Sequence, residues 1–143
     1  MKIREITRFS KRVYGAVLRL LPQLSSDAEF PAEQYIESIL TSDTTHFFIA
    51  ESENKEIVGM LTIGTYFTPT GTKVWIEDVV VDESQRGKGF GKALILFAIN
   101  YSGSLDAKTI ALTSRPSRTA ANNSYKEMGF VKYETNVYKY LLR

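Results

Sequence analysis

VVVDESQRGKGFGKAL, residues 79–94, carries the strongest pattern in the chain. Its three valines, residues 79–81, are apolar on both faces, as in a central strand. After the loop, apolar residues recur at the spacing of one helical face, at Leu94, Ile95, Phe97, Ala98 and Tyr101. The stretch therefore predicts a buried strand, a loop and an amphipathic helix that ends near Gly103.

The loop contains three glycines at alternate positions, Gly87, Gly89 and Gly91. Glycine lets the backbone approach a ligand closely and adopt conformations that side chains forbid. Free N–H groups at the start of the following helix, with the positive end of its dipole, attract anions. Three basic residues lie among the glycines: Arg86, Lys88 and Lys92. The loop is therefore predicted to hold a phosphate group.

Two common nucleotide-binding patterns do not fit this loop. The P-loop pattern GxxxxGK[ST] fails because Arg86 occupies the place of its first glycine and Ala93 the place of its serine or threonine. The dinucleotide pattern GxGxxG fails because Lys92 takes the place of its third glycine. Neither nucleotide interpretation is favoured.

Upstream of the loop, the pattern predicts two helices and a hairpin. Residues 2–6 form a short strand and residues 8–21 a helix that Pro22 ends. A second helix starts after Pro31, and its predicted buried side consists of Tyr35, Ile36, Ile39 and Leu40. Residues 46–50 and 56–67 are predicted strands joined by the turn ESENK, and residues 73–81 form the strand that enters the loop.

Downstream, residues 109–113 are a predicted buried strand, parallel to strand 73–81 and reached by a right-handed crossover. A helix over residues 117–128 ends at Gly129, and residues 130–133 and 137–142 are closing strands. Because no repeat, low-complexity tract or linker interrupts this order, a single domain over residues 1–143 is predicted.

Composition excludes several classes of protein. Hydrophobic residues make up 43% and charged residues 24%, unlike disordered or membrane chains. Without cysteine, and with His46 as the one histidine, no metal site is predicted, and His46 is interpreted as structural or exposed. No signal-like apolar core or membrane-length stretch is present, so a cytoplasmic protein without a membrane partner is expected. The net charge of +2 is too small to predict nucleic-acid binding.

Two segments resemble the GNAT superfamily of acyl-CoA-dependent N-acetyltransferases. The loop matches the motif [QR]xxGx[GA] at Arg86, Gly89 and Gly91. Residues 114–130, SRPSRTAANNSYKEMGF, look like the second conserved block of the superfamily, whose ending YxxxGF begins here at Tyr125. The preceding strand WIEDVVVD and the order of elements along the whole chain agree with this resemblance.

The resemblance implies a mixed α/β fold. Its sheet would be mostly antiparallel, with about seven strands splayed at the fourth and fifth, and about four helices would flank it. It also implies direct transfer of an acetyl group from acetyl-CoA to a primary amine. The acceptor stays open between a small amine, an amino sugar and a protein amine.

The resemblance further implies where acetyl-CoA, or coenzyme A, would bind. The pantetheine arm would pair with main-chain groups of Val79 and Val81, and an N–H near Val79 or Val80 would polarise the thioester carbonyl. Asn122 or Asn123 would bond the pantetheine amides, while Arg118 stands where many members carry asparagine. The pyrophosphate would rest on the amides of Arg86, Gly87, Lys88, Gly89, Phe90, Gly91 and Lys92.

Direct transfer requires a general base and a general acid. An alkyl amine has a pKa of about 10.4, so a base must remove its proton, and Glu77 is the first candidate with Asp78 second. Strand alternation places these two neighbours on opposite faces. Tyr125 is the candidate general acid, because a phenol is protonated at neutral pH. Trp75 and Tyr66 are candidates for the acceptor pocket, although such aromatic residues are more often core.

Two other functions remain as alternatives to an enzyme. An acyl-CoA-binding sensor would keep the phosphate loop without turnover. A nucleic-acid-binding protein would use its exposed basic residues: Arg86, Lys88, Arg115 and Arg118. In addition, the segment TNVYKYLL, residues 135–142, alternates apolar and polar residues and is a candidate for strand pairing across a homodimer.

Overall fold

The computed structural model describes all 143 residues, Met1–Arg143, and contains four strands and four α-helices. The strands are β1 (Lys2–Glu5), β2 (Thr45–Glu51), β3 (Ile57–Thr68) and β4 (Gly71–Val81). The helices are α1 (Lys11–Leu24), α2 (Glu33–Leu40), α3 (Phe90–Gly103) and α4 (Thr119–Glu127). A 3₁₀ turn, Glu83–Gln85, lies between β4 and α3. The chain forms two compact units, Met1–Leu112 and Thr113–Arg143, and the prediction of a single domain stays a prediction.

The first unit is built on one antiparallel sheet with strand order β1-β2-β3-β4. Side chains of β2 alternate between the two faces. Phe47 and Ile49 join the core formed with α1 and α2, on the face called here the α1 face. Phe48 packs edge-on against Phe97 of α3, with ring centroids 5.1 Å apart, on the opposite α3 face. Helices therefore cover both sides of the sheet.

A β-bulge interrupts the pairing of β4 with β3. Thr62 lies opposite Glu77, but Met60 lies opposite Val80, so β4 has one more residue than β3 between these pairs. Before the bulge the buried residue Ile76 pairs with Ile63 on the α3 face. After the bulge Val80 belongs to the core on the α1 face. Because of the extra residue, even-numbered side chains of β4 lie on the α3 face before the bulge and on the α1 face after it.

The predicted helices are confirmed, with two corrections. Pro22 does not end α1, which continues to Leu24 with Pro22 inside its last turn. Proline there removes its own N–H from the helix. The last turn still closes, because the Ser25 N–H bonds the Leu21 carbonyl at 3.0 Å. In α2, Ile36 and Leu40 are buried one turn apart, as predicted, but Tyr35 is exposed because it points away from that side of the helix.

The sheet has four strands and not about seven. The predicted strand 109–113 is reduced to one parallel bridge, between Ala111 and Trp75. That bridge confirms the parallel direction of the predicted unit and the mixed, mostly antiparallel pairing. The predicted closing strands 130–133 and 137–142 are absent. Alternating residues favour a strand, but a strand forms only where a neighbour pairs with its backbone.

The second unit contains α4 as its one regular element. The helix ends just before Gly129, whose φ of +102° confirms the predicted left-handed cap. The residues after it expose their large apolar side chains: Val131, Tyr133, Val137, Tyr138, Tyr140, Leu141 and Leu142. Pairing of this segment across a homodimer stays a prediction.

The bulge generates a prediction at Asp78, whose φ of +50° lies in the left-handed region. Asp78→Val should lower the free energy of unfolding by about 1–2 kcal/mol, because a β-branched residue is strained there. Asp78→Gly should stay within about 0.5 kcal/mol of the native chain, because glycine adopts this φ freely. Urea unfolding measures both values. Equal stability of the two variants would contradict a left-handed residue at the bulge.

Candidate functional site

The outer edge of β4 is largely free of strand partners. Ala111 bonds this edge through two main-chain contacts, its N–H to the Val74 carbonyl at 3.0 Å and its carbonyl to the Ile76 N–H at 2.9 Å. The main-chain groups of residues 74 and 76 therefore point outward, away from β3. Beyond them, β4 has no strand on its outer side.

The bulge changes which residues present their main chain at this edge. After it, the Asp82 N–H bonds the Val58 carbonyl at 2.7 Å, so residue 82 points its main chain toward β3. By alternation, Val80 does the same, and the main-chain groups of Val79 and Val81 point outward. The main chain of both valines that the resemblance assigns to pantetheine thus faces the open edge, although the Val81 carbonyl accepts a hydrogen bond from Arg86 Nε at 3.2 Å.

The glycine loop, residues 86–92, follows the 3₁₀ turn and enters α3. Gly87 and Gly89 have φ of +78° and +87°, values that favour glycine. Gly89 is the N-cap of α3, and no side chain caps the helix. The backbone N–H groups of residues 87–92 have no hydrogen-bond acceptor within the protein. The loop is therefore a row of free donors at a positive helix end.

Side chains of the loop mainly hold its shape. Arg86 Nε donates to the Val81 carbonyl at 3.2 Å, and Lys88 Nζ donates to Gln85 Oε1 at 3.1 Å. Phe90 is buried and anchors the start of α3, while Lys92 is exposed. Arg86, predicted as a cofactor contact, thus has a partner of its own on β4.

The two acidic candidates lie at the bulge. Glu77 pairs with Thr62, on the α1 face, and is exposed. Partial burial, and after it the charge of Asp78, raises the pKa of Glu77 above that of an ordinary carboxyl. Asp78 occupies the left-handed position, so the regular alternation expected of these neighbours is broken there. A raised pKa makes Glu77 a better proton acceptor than an ordinary carboxylate.

The aromatic candidates lie on the same face as Glu77. Trp75 pairs with Gly64 and is partly buried, and Tyr66 lies two residues further along β3 with half its surface exposed. Gly64 has no side chain, and no other atom lies within 4 Å of the position that a Cβ would occupy there. The sheet surface between the two rings is therefore open.

Tyr125 and Asn122 belong to the second unit. The ring of Tyr125 packs edge-on against Phe130, with centroids 5.8 Å apart. Asn122 Nδ2 donates to the Arg115 carbonyl at 3.0 Å, so its amide supports the segment before α4. Asn123 is exposed, and Arg118 is the N-cap of α4.

His46 has partners that its sequence neighbours do not reveal. Its Nδ1 lies 3.0 Å from Glu5 Oε1 on β1 and 3.0 Å from the Tyr101 hydroxyl on α3. Burial, and then the charge and hydrogen bond of Glu5, raise the pKa of Tyr101. Glu5 lies 41 positions before His46 in sequence, and Tyr101 lies 55 positions after it, so no local signal points to these contacts.

Two features are absent from the structure. No group of three or more His, Cys, Asp and Glu side chains is arranged to hold a metal ion. None of the helices combines the length and the apolar character that crossing a bilayer demands.

The chain thus has an α/β fold in which an uncapped loop of free amides lies between a bulged strand and a helix, an arrangement that suits an anion. The family model described as the Acetyltransferase (GNAT) family matches residues 11–130. The chain therefore belongs to the GNAT acetyltransferase family.

Individual relatives agree with this assignment. Over 101 residues, 68% of this chain, it is 31% identical to a mycothiol acetyltransferase of Renibacterium salmoninarum, and the match spans 30% of that longer protein. An aminoglycoside acetyltransferase from an uncultured soil metagenomic sample, in complex with sisomicin, is 18% identical with a TM-score of 0.87, covering 99% of this chain and 96% of that one. A Trypanosoma brucei acetyltransferase is 25% identical with a TM-score of 0.77, covering 98% and 99%. The predicted mixed α/β fold of the GNAT type, with four helices and an antiparallel sheet, is confirmed, whereas the predicted seven strands are not.

Proposed function

We propose that this chain transfers an acetyl group from acetyl-CoA directly to a primary amine. The observation that carries the proposal is the row of unpaired N–H donors at residues 87–92, which adjoins the strand whose outer edge is open. A diphosphate suits the donors, and a molecule with amide groups along its length suits a strand edge. Coenzyme A has both parts.

In this proposal, each end of the site has a separate task. The free amides of residues 87–92 hold the pyrophosphate, since the predicted donor at Arg86 is already bonded to the Glu83 carbonyl at 3.5 Å. The outward-facing main chain of Val79 and Val81 pairs with the pantetheine arm. An N–H near Val79 or Val80 stabilises negative charge on the thioester oxygen, because a preorganised donor needs no reorientation during reaction. Acetyl-CoA supplies the activated acetyl group.

The chain's own residues handle the protons. Glu77 accepts the proton of the acceptor ammonium group, with Asp78 as the alternative base. Tyr125, proposed from its match to the YxxxGF motif, gives a proton to the departing thiolate, and Asn122 bonds the pantetheine. The open surface flanked by Trp75 and Tyr66 receives the acceptor. Because a relative is an aminoglycoside acetyltransferase, amino sugars are the first acceptors to test.

Turnover with a panel of amines tests the proposal. Acetyl-CoA is incubated with the protein and with alkyl amines, amino sugars including an aminoglycoside, and a lysine peptide. Release of free thiol, with the acetylated amine identified by mass spectrometry, is expected for at least one class. Binding of CoA by calorimetry without turnover on any amine would favour the sensor, and absence of both would contradict the proposal.

A matched pair of glycine variants accompanies that test. Gly89→Ala should weaken CoA binding about tenfold, because a side chain disfavours the φ of +87° by about 1–2 kcal/mol and a loop that relaxes must regain this conformation to bind. Gly103→Ala lies at the other end of α3 and also meets nothing within 4 Å, so CoA affinity should be unchanged. Equal effects of both would argue against the loop as the phosphate site.

The pH dependence of kcat at saturating acceptor tests Glu77. A base acts only when deprotonated, so kcat should fall as the pH drops through the raised pKa of Glu77, above the ordinary value of 4.5. Glu77→Gln should lower kcat about 100-fold and abolish this acidic limb. Asp78→Asn should keep the limb but move it to lower pH, because a neighbouring negative charge is removed. The reverse pattern would make Asp78 the base.

The Tyr125→Phe variant tests the general acid. Phenylalanine keeps the ring packing against Phe130 but has no proton to donate, so kcat should fall about 100-fold with an unchanged free energy of unfolding. Tyr133→Phe, at an exposed position of the same unit, should leave kcat unchanged. Full thiol release by Tyr125→Phe across the pH range would show that another group supplies the proton.

A further inference from the structure

Helix α1 bonds the segment that connects β4 to the glycine loop. Arg19 forms an ion pair through Nη1 with Asp82 Oδ2, and its Nη2 donates to the Ile57 carbonyl at 2.6 Å. One turn later, Gln23 Oε1 accepts the Glu83 N–H at 2.8 Å. These contacts join α1, the start of β3 and the first two residues after β4.

Asp82 uses its two carboxylate oxygens in different directions. Oδ1 accepts the Ser84 N–H at 3.0 Å and the Ser84 hydroxyl at 2.8 Å, which closes the 3₁₀ turn. Oδ2 faces Arg19. The Ser84 hydrogen bond, and with it the charge of Arg19, lowers the pKa of Asp82, whose side chain is only 15% exposed. The carboxylate is therefore ionised at neutral pH and couples the turn to α1.

The position of the turn sets the position of the free amides. The Gln85 N–H bonds the Asp82 carbonyl at 2.8 Å, and Gln85 Oε1 in turn accepts from Lys88. Gly87, the first residue with a free N–H, lies two residues after the turn. Because Gly87 and Gly89 allow many backbone conformations, the loop depends on contacts at its base for a defined shape.

We infer that Arg19, Gln23 and Asp82, called here the α1 anchor, are positioning residues that preorganise the amides of residues 87–92 for a diphosphate. The inference rests on the proposed function. None of the three contacts uses an amide of the glycine loop, so the anchor holds the loop while leaving all its donors free. A preformed loop binds an anion more tightly because less conformational entropy is lost on binding.

The same helix offers a matched control. Arg12 lies seven residues before Arg19, on the same side of α1. It bonds a carboxylate, Glu51 Oε2 at 2.8 Å, and the Lys55 carbonyl, and both arginine side chains are 47% exposed. Arg12 therefore repeats the bonding pattern of Arg19 but contacts β2 and the turn after it, not the base of the loop.

Binding and kinetics of two variants test the anchor. Arg19→Gln should weaken CoA binding in calorimetry, and raise the KM for acetyl-CoA, by about five- to tenfold, while kcat and the acceptor KM change less than about twofold. Arg12→Gln should change CoA affinity, the KM for acetyl-CoA, kcat and the acceptor KM by less than about twofold. Its free energy of unfolding should fall by about as much as that of Arg19→Gln. Equal loss of CoA affinity in the two variants would overturn the inference.

A truncated donor shows whether the effect depends on the phosphates. S-acetylpantetheine lacks the diphosphate, so Arg19→Gln and the native chain should use it with the same kcat/KM. The double variant Arg19→Gln with Asp82→Asn should lose no more CoA affinity than either single variant, because each single change already removes the same Arg19–Asp82 ion pair. An equal loss with the truncated donor, or full additivity, would count against the anchor.

Hydrogen exchange of the free protein separates this inference from the proposed function. The amides of residues 83–85 are bonded in the anchor and the turn, and those of Glu83 and Ser84 should exchange at least about threefold faster in Arg19→Gln but not in Arg12→Gln. Should Arg19→Gln not fold, Gln23→Ala replaces it, with a smaller change expected at Glu83. Faster exchange with no CoA binding by the native chain would retain the anchor and refute the function, whereas unchanged exchange would refute the anchor.

Discussion

Strand β4 pairs with β3 along one edge, while its other edge stays open. The one-residue bulge at Asp78 and Val79 allows β4 both to pack into the core and to keep this open edge. The bulge moves Val80 into the core on the α1 face. It also lets Val81 pack on the α3 side, where its Cγ2 lies 3.7 Å from the position that a Cβ would occupy at Gly91. It also turns the main chain of residues 79 and 81 outward. The packing of the core and the open main-chain edge of β4 thus depend on the same irregularity.

In the loop beyond β4, the groups that hold its shape are different from the free amides that it presents. Buried Phe90 fixes the start of α3, Arg86 bonds the Val81 carbonyl, and Asp82 bonds Arg19 of α1. None of these contacts uses the amides of residues 87–92. The protein stabilises the shape of the loop from its base and sides, and the unpaired donors remain available to an anion.

Much of this arrangement was predictable because it is local. The valine run, the alternate glycines and the apolar face of α3 are close together in sequence, and each has a short-range cause. Predictions failed where a distant partner decides the outcome. Residues 137–142 alternate like a strand but have no strand to pair with. The error at Pro22 has instead a local cause, its position in the last turn of α1.

The amino-acid sequence alone was sufficient for the family, the glycine loop and the order of the elements up to α3, since backbone freedom and side-chain periodicity act over a few residues. Folding added the bulge at Asp78, the Glu5 and Tyr101 partners of His46, and the bonds from Arg19 to the base of the loop. These join residues tens of positions apart, so their geometry depends on how strands and helices pack and not on any short segment.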